Sequence, residues 1–207
     1  MPNVFIQCDD LFFRSGFLLL LQEVFPTGIA ETPAVAGADI IILHLCRGEA
    51  FICHPGLLHR RQGLLIGLVD NEKQIITTSL PLCLRNILFI QRTEAIHRII
   101  TKIKFAWLST LESEQNARKI TCQGCPHRTF SPQQQKIAIA LAAGLSLNAI
   151  ASSLSLGYKT VFTHKKMIMD KFFLRNDVDL LLLLRRMQRH ECNRNDSADE
   201  GVHTSAS

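Results

Sequence analysis

The chain has 207 residues, 47% of them hydrophobic, and a formal net charge of +5. That length holds one large domain or two small ones and can bury a real core. Its seven cysteines are odd in number and irregularly spaced, which does not indicate a disulfide framework, and several sit in apolar runs, where they are expected to behave as small buried hydrophobes.

Residues 3–8 (NVFIQC) are short and β-prone. Residues 11–24 (LFFRSGFLLLLQEV) take helical spacing and are closed by Pro26. This apolar stretch is interrupted by Arg14, Gln22 and Glu23, and it falls short of the roughly 20 residues a bilayer span needs. No basic segment precedes it, as a secretory signal would require. The expectation is a cytoplasmic protein without membrane contact. Residues 27–38 are small and Pro- and Ala-containing, and read as loop. Asp39–Leu45 (DIIILHL) is a continuous β-branched run, the pattern of a strand buried on both faces. Gly63–Val69 and Asn86–Ile90 repeat it. Thr93–Leu108 returns to helical spacing, with Ile96, Ile99, Ile100, Ile103 and Trp107 on one stripe. Apolar strands separated by helix or loop predict an α/β domain over residues 1–108, a parallel sheet with helices on its faces.

Residues 109–129 are polar and weakly patterned and read as a linker. Within it, Cys122, Cys125 and His127 could supply three zinc ligands or a redox pair. No second C-x-x-C or paired His follows at useful spacing, so neither a metal nor a cofactor is expected. Residues 130–190 form the second domain, and 191–207 (ECNRNDSADEGVHTSAS) cannot support a core and read as a disordered tail.

Charge singles out the second domain. Residues 130–190 carry nine Lys and Arg against three Asp, whereas residues 1–110 carry ten against nine. A positive field confined to one segment is what a polyanion partner requires. Ser131-Pro132-Gln133-Gln134 is a helix start, with Ser131 as cap, Pro132 at the first helical position and Gln134 completing a capping box. Ile137 and Leu141 face inward, and Gly144 ends the helix in the left-handed conformation. Ser146 caps a second, short helix with Ile150, Ala151 and Leu154 inward. Ser155-Leu156-Gly157 forms the turn, with Gly157 taking the unusual dihedrals. A longer helix then begins near Tyr158. Val161, Ile168 and Phe172 lie on its apolar back, and Lys159, Phe162, Thr163, Lys166 and Asp170 on its front. Such a front can reach base edges and thymine methyls while flanking lysines meet phosphates. Asn176 or Asp177 caps a last helix, Val178–Met187. Leu180–Leu184 point all round that helix, more than a three-helix core can bury, so another domain or subunit is expected against it.

Residues 130–175 resemble the DNA-binding module of the LuxR/FixJ (GerE-like) transcription regulators. The resemblance rests on Phe130-Ser131-Pro132-Gln133-Gln134, Gly144-Leu145-Ser146, Ile150-Ala151-Ser152-Ser153-Leu154, Thr160-Val161, His164, Ile168 and Lys171-Phe172, matched without gaps. It departs at Gln134, Ala149 and Gly157, positions that bear on capping. The resemblance implies an all-α helix-turn-helix that binds double-stranded DNA. Phe162, Thr163 and Lys166 would be the base readers, with Lys159, Thr160, His164 and Lys165 near the backbone and Lys171 completing the DNA-binding set. It also implies a dimer through the last helix, which fits two half-sites one helical turn apart.

Residues 3–108 are similar to a receiver domain of the FixJ/NarL type. The acidic metal pair after the first strand would fall on Cys8 and Asp9, with Asp10 one step late. The phosphoacceptor position falls on His44, and the lysine after the fifth strand on Gln91. One strand–helix unit between the first and third strands is shortened. Aspartyl phosphorylation needs a carboxylate nucleophile, a carboxylate-held metal and a cation on the phosphoryl oxygens. The expectation is therefore a degenerate receiver not controlled by Asp phosphorylation, resembling the Rcs-type auxiliary regulators. It would act as a homodimer, or as a heterodimer with an RcsB-like response regulator. The alternatives are an interaction protein that sequesters a response regulator with little DNA binding of its own, and a redox- or metal-responsive regulator using Cys122 and Cys125. No nucleophile–base pair or phosphate loop points to an enzyme.

Overall fold

The computed structural model describes residues 1–70, 80–112 and 124–199. The chain divides into two compact units. One is Met1–Leu45 with Gly56–Cys125; the other is Cys46–Pro55 with the chain from Pro126 onward.

The first unit is a five-stranded sheet of β1 (Asn3–Gln7), β2 (Ala30–Glu31), β3 (Ile40–His44), β4 (Leu64–Val69) and β5 (Leu88–Gln91). Every pairing is parallel, in the order β2-β1-β3-β4-β5. Register aligns Val4 with Ile40, Ile42 with Ile66 and Ile66 with Leu88, so branched side chains stack in rows across the sheet. On one face Val4, Ile40, Ile42, Leu64, Ile66, Leu68 and Ile90 share a core with Phe17, Leu21 and Val24 of α1 (Leu11–Val24) and Ile99 and Ile103 of α2 (Ile96–Glu112). The other face is buried as well: Ile41, Leu43 and Leu65 are each at most 3% exposed. This is why the strands read as continuous apolar runs rather than alternating ones.

The expected α/β sheet is present, with local differences. Residues 27–38 contain the two-residue strand β2 and a 3-10 turn, Val35–Gly37, in place of an unbroken loop. The β3–β4 connection carries only the 3-10 turns Glu49–Phe51 and Pro55–Leu57. Its sequence, rich in Gly, Pro, His and Arg, has no 3.6-residue apolar period to sustain a helix. Strand β5 starts later than Asn86 because Asn86 itself sits at φ 60°, in the left-handed region.

The second unit contains α3 (Pro132–Ala142), α4 (Leu147–Ser153), α5 (Tyr158–Lys171) and α6 (Asp177–Asp199). Ile137, Ile150, Val161, Ile168, Phe172 and Leu183 are fully buried at its centre. Helix α6 runs well past Met187 and takes in residues 191–199 of the tail expected to be disordered; residues 200–207 lie outside the described residues. No Gly or Pro interrupts the chain before Gly201, so nothing local terminates the helix earlier. Of the five consecutive leucines, Leu180, Leu183 and Leu184 enter the core, while Leu181 and Leu182 are 37% and 46% exposed.

Candidate nucleic-acid interface

The site is built on three helix ends. The capping box expected at α3 is complete: the Gln134 amide donates to Ser131 Oγ at 3.3 Å, and the Ser131 amide donates to Gln134 Oε1 at 3.1 Å. A glutamine here performs the capping task without charge. Gly144 at φ 82° closes α3, letting the Leu145 amide reach back to the Ala140 carbonyl at 3.1 Å. Ser146 caps α4 through the Ala149 amide at 3.2 Å.

The turn between α4 and α5 differs from expectation. Gly157 is an extended N-cap at φ −71°, and the left-handed residue is Ser155 at φ 54°. The reason is geometric. Helix α4 ends in the same motif as α3, with the Leu156 amide bonded to the Ala151 carbonyl at 2.9 Å. That bond requires the left-handed residue directly after the cap, Leu154, and two positions before Gly157.

Helix α5 then presents two faces. Val161 and Ile168 are buried, and Phe172 caps its C-terminal end, fully buried. Lys159, Thr160, Phe162, Thr163, Lys166 and Asp170 are exposed on the opposite side. Phe162, at 49% exposed, is a large aromatic held in solvent at the middle of that face. Tyr158 and Met167 are 49% and 51% exposed and extend the same surface. Sequence reasoning passed over both, although their spacing from Phe162 and Thr163 places them beside those residues on a helix. The Thr163 hydroxyl donates to the Lys159 carbonyl at 2.8 Å, which restricts the side chain to the rotamer that makes this bond.

The remaining basic residues are engaged differently. Lys165 Nζ lies 2.7 Å from Asp177 Oδ2, with its side chain only 14% exposed. Lys171 Nζ donates to the Thr129 carbonyl at 2.8 Å. His164 is half-buried, and its Nδ1 has no hydrogen-bond partner among the described residues. Lys159 and Lys166 form no ion pair among the described residues, so on α5 they are the cations left to meet an anion.

The start of α6 is pinned by charge. Asn176 Oδ1 accepts from the Asp179 amide at 2.9 Å, and Arg175 Nε donates to Asp179 Oδ2 at 3.0 Å. Burial alone would raise the Asp179 carboxyl, but the Arg175 hydrogen bonds, with the charges of Arg175 and Arg47, hold it below its ordinary value. Val178, Leu181 and Leu182, spaced three and four apart, leave an exposed apolar strip along the same helix.

The C-terminal edge of the sheet, where open parallel sheets bind ligands, belongs to the first unit. His44 and Gln91 are the last residues of β3 and β5, as the receiver resemblance implies. Asp10 serves as the N-cap of α1, accepting from the Phe13 amide at 3.0 Å, and pairs with Arg92 at 2.9 Å. The Phe13 amide and the Arg92 guanidinium hold its carboxyl below the usual range. Gln91 Nε2 donates to the Asp70 carbonyl at 3.0 Å. Cys122 lies outside the described residues, and Cys125 Sγ accepts from the Leu82 amide at 3.2 Å. Cys46 is half-buried, and desolvation with the neighbouring Glu49 pushes its thiol far above the ordinary value, which makes it a poor nucleophile.

Residues 128–184 match the family model described as bacterial regulatory proteins, luxR family. That is a family of regulatory proteins rather than of enzymes. No curated protein matches the chain. Among solved structures, RcsB from Salmonella enterica serovar Typhimurium bound to the promoter P1flhDC is 18% identical, with a TM-score of 0.53, over 88% of this chain and 97% of that one. A two-component response regulator RcsB–DNA complex is 18% identical with a TM-score of 0.49 over 89% and 98% of the two chains. Full-length FixJ from B. japonicum is 16% identical with a TM-score of 0.38 over 89% and 96%. At such identities the likeness is one of fold, a receiver-like sheet followed by a helix-turn-helix. No helix among the described residues is long and apolar enough to cross a membrane. Over residues 128–184 the chain therefore carries a domain of the luxR family of bacterial regulatory proteins, folded as a helix-turn-helix.

Proposed function

We propose that this protein recognises specific sites on double-stranded DNA in the cytoplasm, reading bases with Phe162, Thr163 and Lys166 of α5. Lys159 and Thr160 flank them at the backbone, with His164 at the margin. Lys165 and Lys171 also lie on α5, but their ties to Asp177 and Thr129 give them the smaller share of phosphate contact. The observation that carries this reading is the exposed face of α5, where an aromatic and two cations without ion-pair partners among the described residues sit together. A face of that composition combines phosphate neutralisation with contact to thymine methyls and base edges.

The protein acts as a dimer, either with itself or with an RcsB-like response regulator, through Val178, Leu181 and Leu182 of α6. These side chains are apolar, adjacent and exposed. Lys166→Ala is expected to weaken specific binding by about 1–3 kcal/mol and to relax sequence preference where Lys166 reads. Leu182→Asp is expected to shrink the protected footprint to a single half-site. Genome-wide binding and footprinting, with and without a response-regulator partner, read both effects. Unchanged peaks for Lys166→Ala would mean that α5 is not the helix that reads the bases. Partner capture by a protein that occupies no DNA site would favour sequestration instead.

The receiver-like unit works without Asp phosphorylation. The residue ending β3 is His44, Gln91 ends β5 where a lysine would be needed, and Asp10 is committed to α1 and Arg92. Incubation with acetyl phosphate and Mg²⁺ is expected to leave the protein's mass unchanged. An acid-stable, base-labile adduct on aspartate would overturn this.

A further inference from the structure

We propose that residues 46–55 are a positioning element of the DNA-binding unit, holding the C-terminal end of α5 and its turn into α6. This role rests on α5 being the DNA-contacting helix, and it falls to a stretch, CRGEAFICHP, that the helix-turn-helix motif does not include.

The segment is part of the helical core. Phe51 and Ile52, each 3% exposed, share one apolar cluster with Val161, Ile168 and Phe172. Gly48 takes the left-handed conformation at φ 86°, and a Cβ there would stand 3.0 Å from Leu174 and 3.1 Å from Leu183 and Phe172. Only glycine lets the backbone approach these three side chains so closely. Glu49, 2% exposed, accepts from the Cys46 amide at 2.9 Å and lies 3.7 Å from Arg186 Nε of α6. Arg47 Nε is 3.4 Å from Asp179.

These contacts converge on a strained residue. Phe173 follows the cap of α5 at φ 55°, a region that bulky residues avoid unless their surroundings force it. Arg47 donates to the Phe173 carbonyl at 3.2 Å. The Phe51 and Phe173 rings meet edge to face at 5.3 Å. The Arg128 guanidinium lies over both rings, 4.3 Å from Phe51 and 4.5 Å from Phe173. The Arg128 amide donates to the Phe51 carbonyl at 2.7 Å, and its guanidinium donates to the carbonyl of Lys171, the last residue of α5. A cation on the last carbonyl satisfies an acceptor that the helix cannot satisfy itself. Residues 46–55 thus fix where α5 stops and how the chain leaves it, and that sets the angle at which Lys159, Phe162 and Lys166 are offered.

Hydrogen exchange on the full-length protein, without DNA, tests this. Gly48→Val should unseat the segment, so that amides of residues 46–55 and 168–176 exchange at least about tenfold faster while β3 and β4 keep their rates. DNA affinity should fall by a similar factor. Faster exchange in 46–55 with unchanged rates in 168–176 would overturn the proposal, as would unchanged rates in both. If Gly48→Val loosens the sheet too, Phe51→Leu decides. It keeps apolar volume and removes the ring between Phe173 and Arg128, so faster exchange confined to 168–176 is expected, and its absence overturns the proposal. Because exchange is read without DNA, the outcome does not depend on whether Lys166→Ala affects binding.

Discussion

Replacing Phe172 with alanine is expected to destabilise the helix-turn-helix unit strongly and leave the stability of the sheet unit unchanged. Phe172 is fully buried at the point where α5 ends. Its ring meets Phe130 edge to face at 5.4 Å, and its Cβ lies beneath Gly48. Removing a buried phenyl ring costs about 3–5 kcal/mol through lost transfer energy and the cavity left behind. That is a large part of the roughly 5–15 kcal/mol that keeps a domain folded. Two probes separate the units. The single tryptophan, Trp107, sits on α2 with its ring 5.3 Å from Phe25, so its fluorescence follows the sheet unit. Circular dichroism at 222 nm is weighted to the longer helical content of α3–α6. In urea titrations the dichroism midpoint should move well to lower denaturant, and the fluorescence midpoint should stay. Equal movement of both midpoints would mean that the two units unfold as one. A loss below about 1 kcal/mol would mean that the ring is not in a packed core.

The helical unit was legible in the sequence because its signals are local. Ser131 and Ser146 are caps that act within three residues of themselves and work as the sequence predicts, and of the alternatives Asn176 and Asp177 it is Asn176 that caps the last helix. Val161, Ile168 and Phe172 were identifiable from helical period alone, and each is fully buried. The strands were legible because burial on both faces leaves continuous apolar runs. Gly157 shows the limit of reading residue types. Glycine marks where a left-handed turn is cheap, but the end of α4 placed that conformation on Ser155. The role of residues 46–55 was not legible. Arg128 meets Phe51 across 77 positions of chain, and no periodicity or motif encodes a contact that distant. Nothing local marks Glu49 as buried either, since charged residues in loops are ordinarily solvated.

Glu49→Ala is expected to destabilise the helical unit by about 3–5 kcal/mol, the usual cost of removing one partner from a buried ion pair. Glu49 is 2% exposed and its partner Arg186 is 7% exposed. The substitution takes the carboxylate from a buried guanidinium and the acceptor from the Cys46 amide at one stroke. Glu49→Gln retains an oxygen for that amide, so it should cost less. Combining Glu49→Gln with Arg186→Leu removes both charges together and should return stability close to that of the unmodified protein, since a neutral buried pair escapes the desolvation penalty. The non-additivity of the two changes is then the coupling between residues 46–55 and α6, measured directly. Salt gives an independent reading. A solvent-exposed pair would weaken as ionic strength rises, whereas a pair this buried is little screened, so the loss from Glu49→Ala should be nearly the same at low and high salt. A cost below about 0.5 kcal/mol, the range of ordinary surface substitutions, would place Glu49 in solvent and detach residues 46–55 from the helical core.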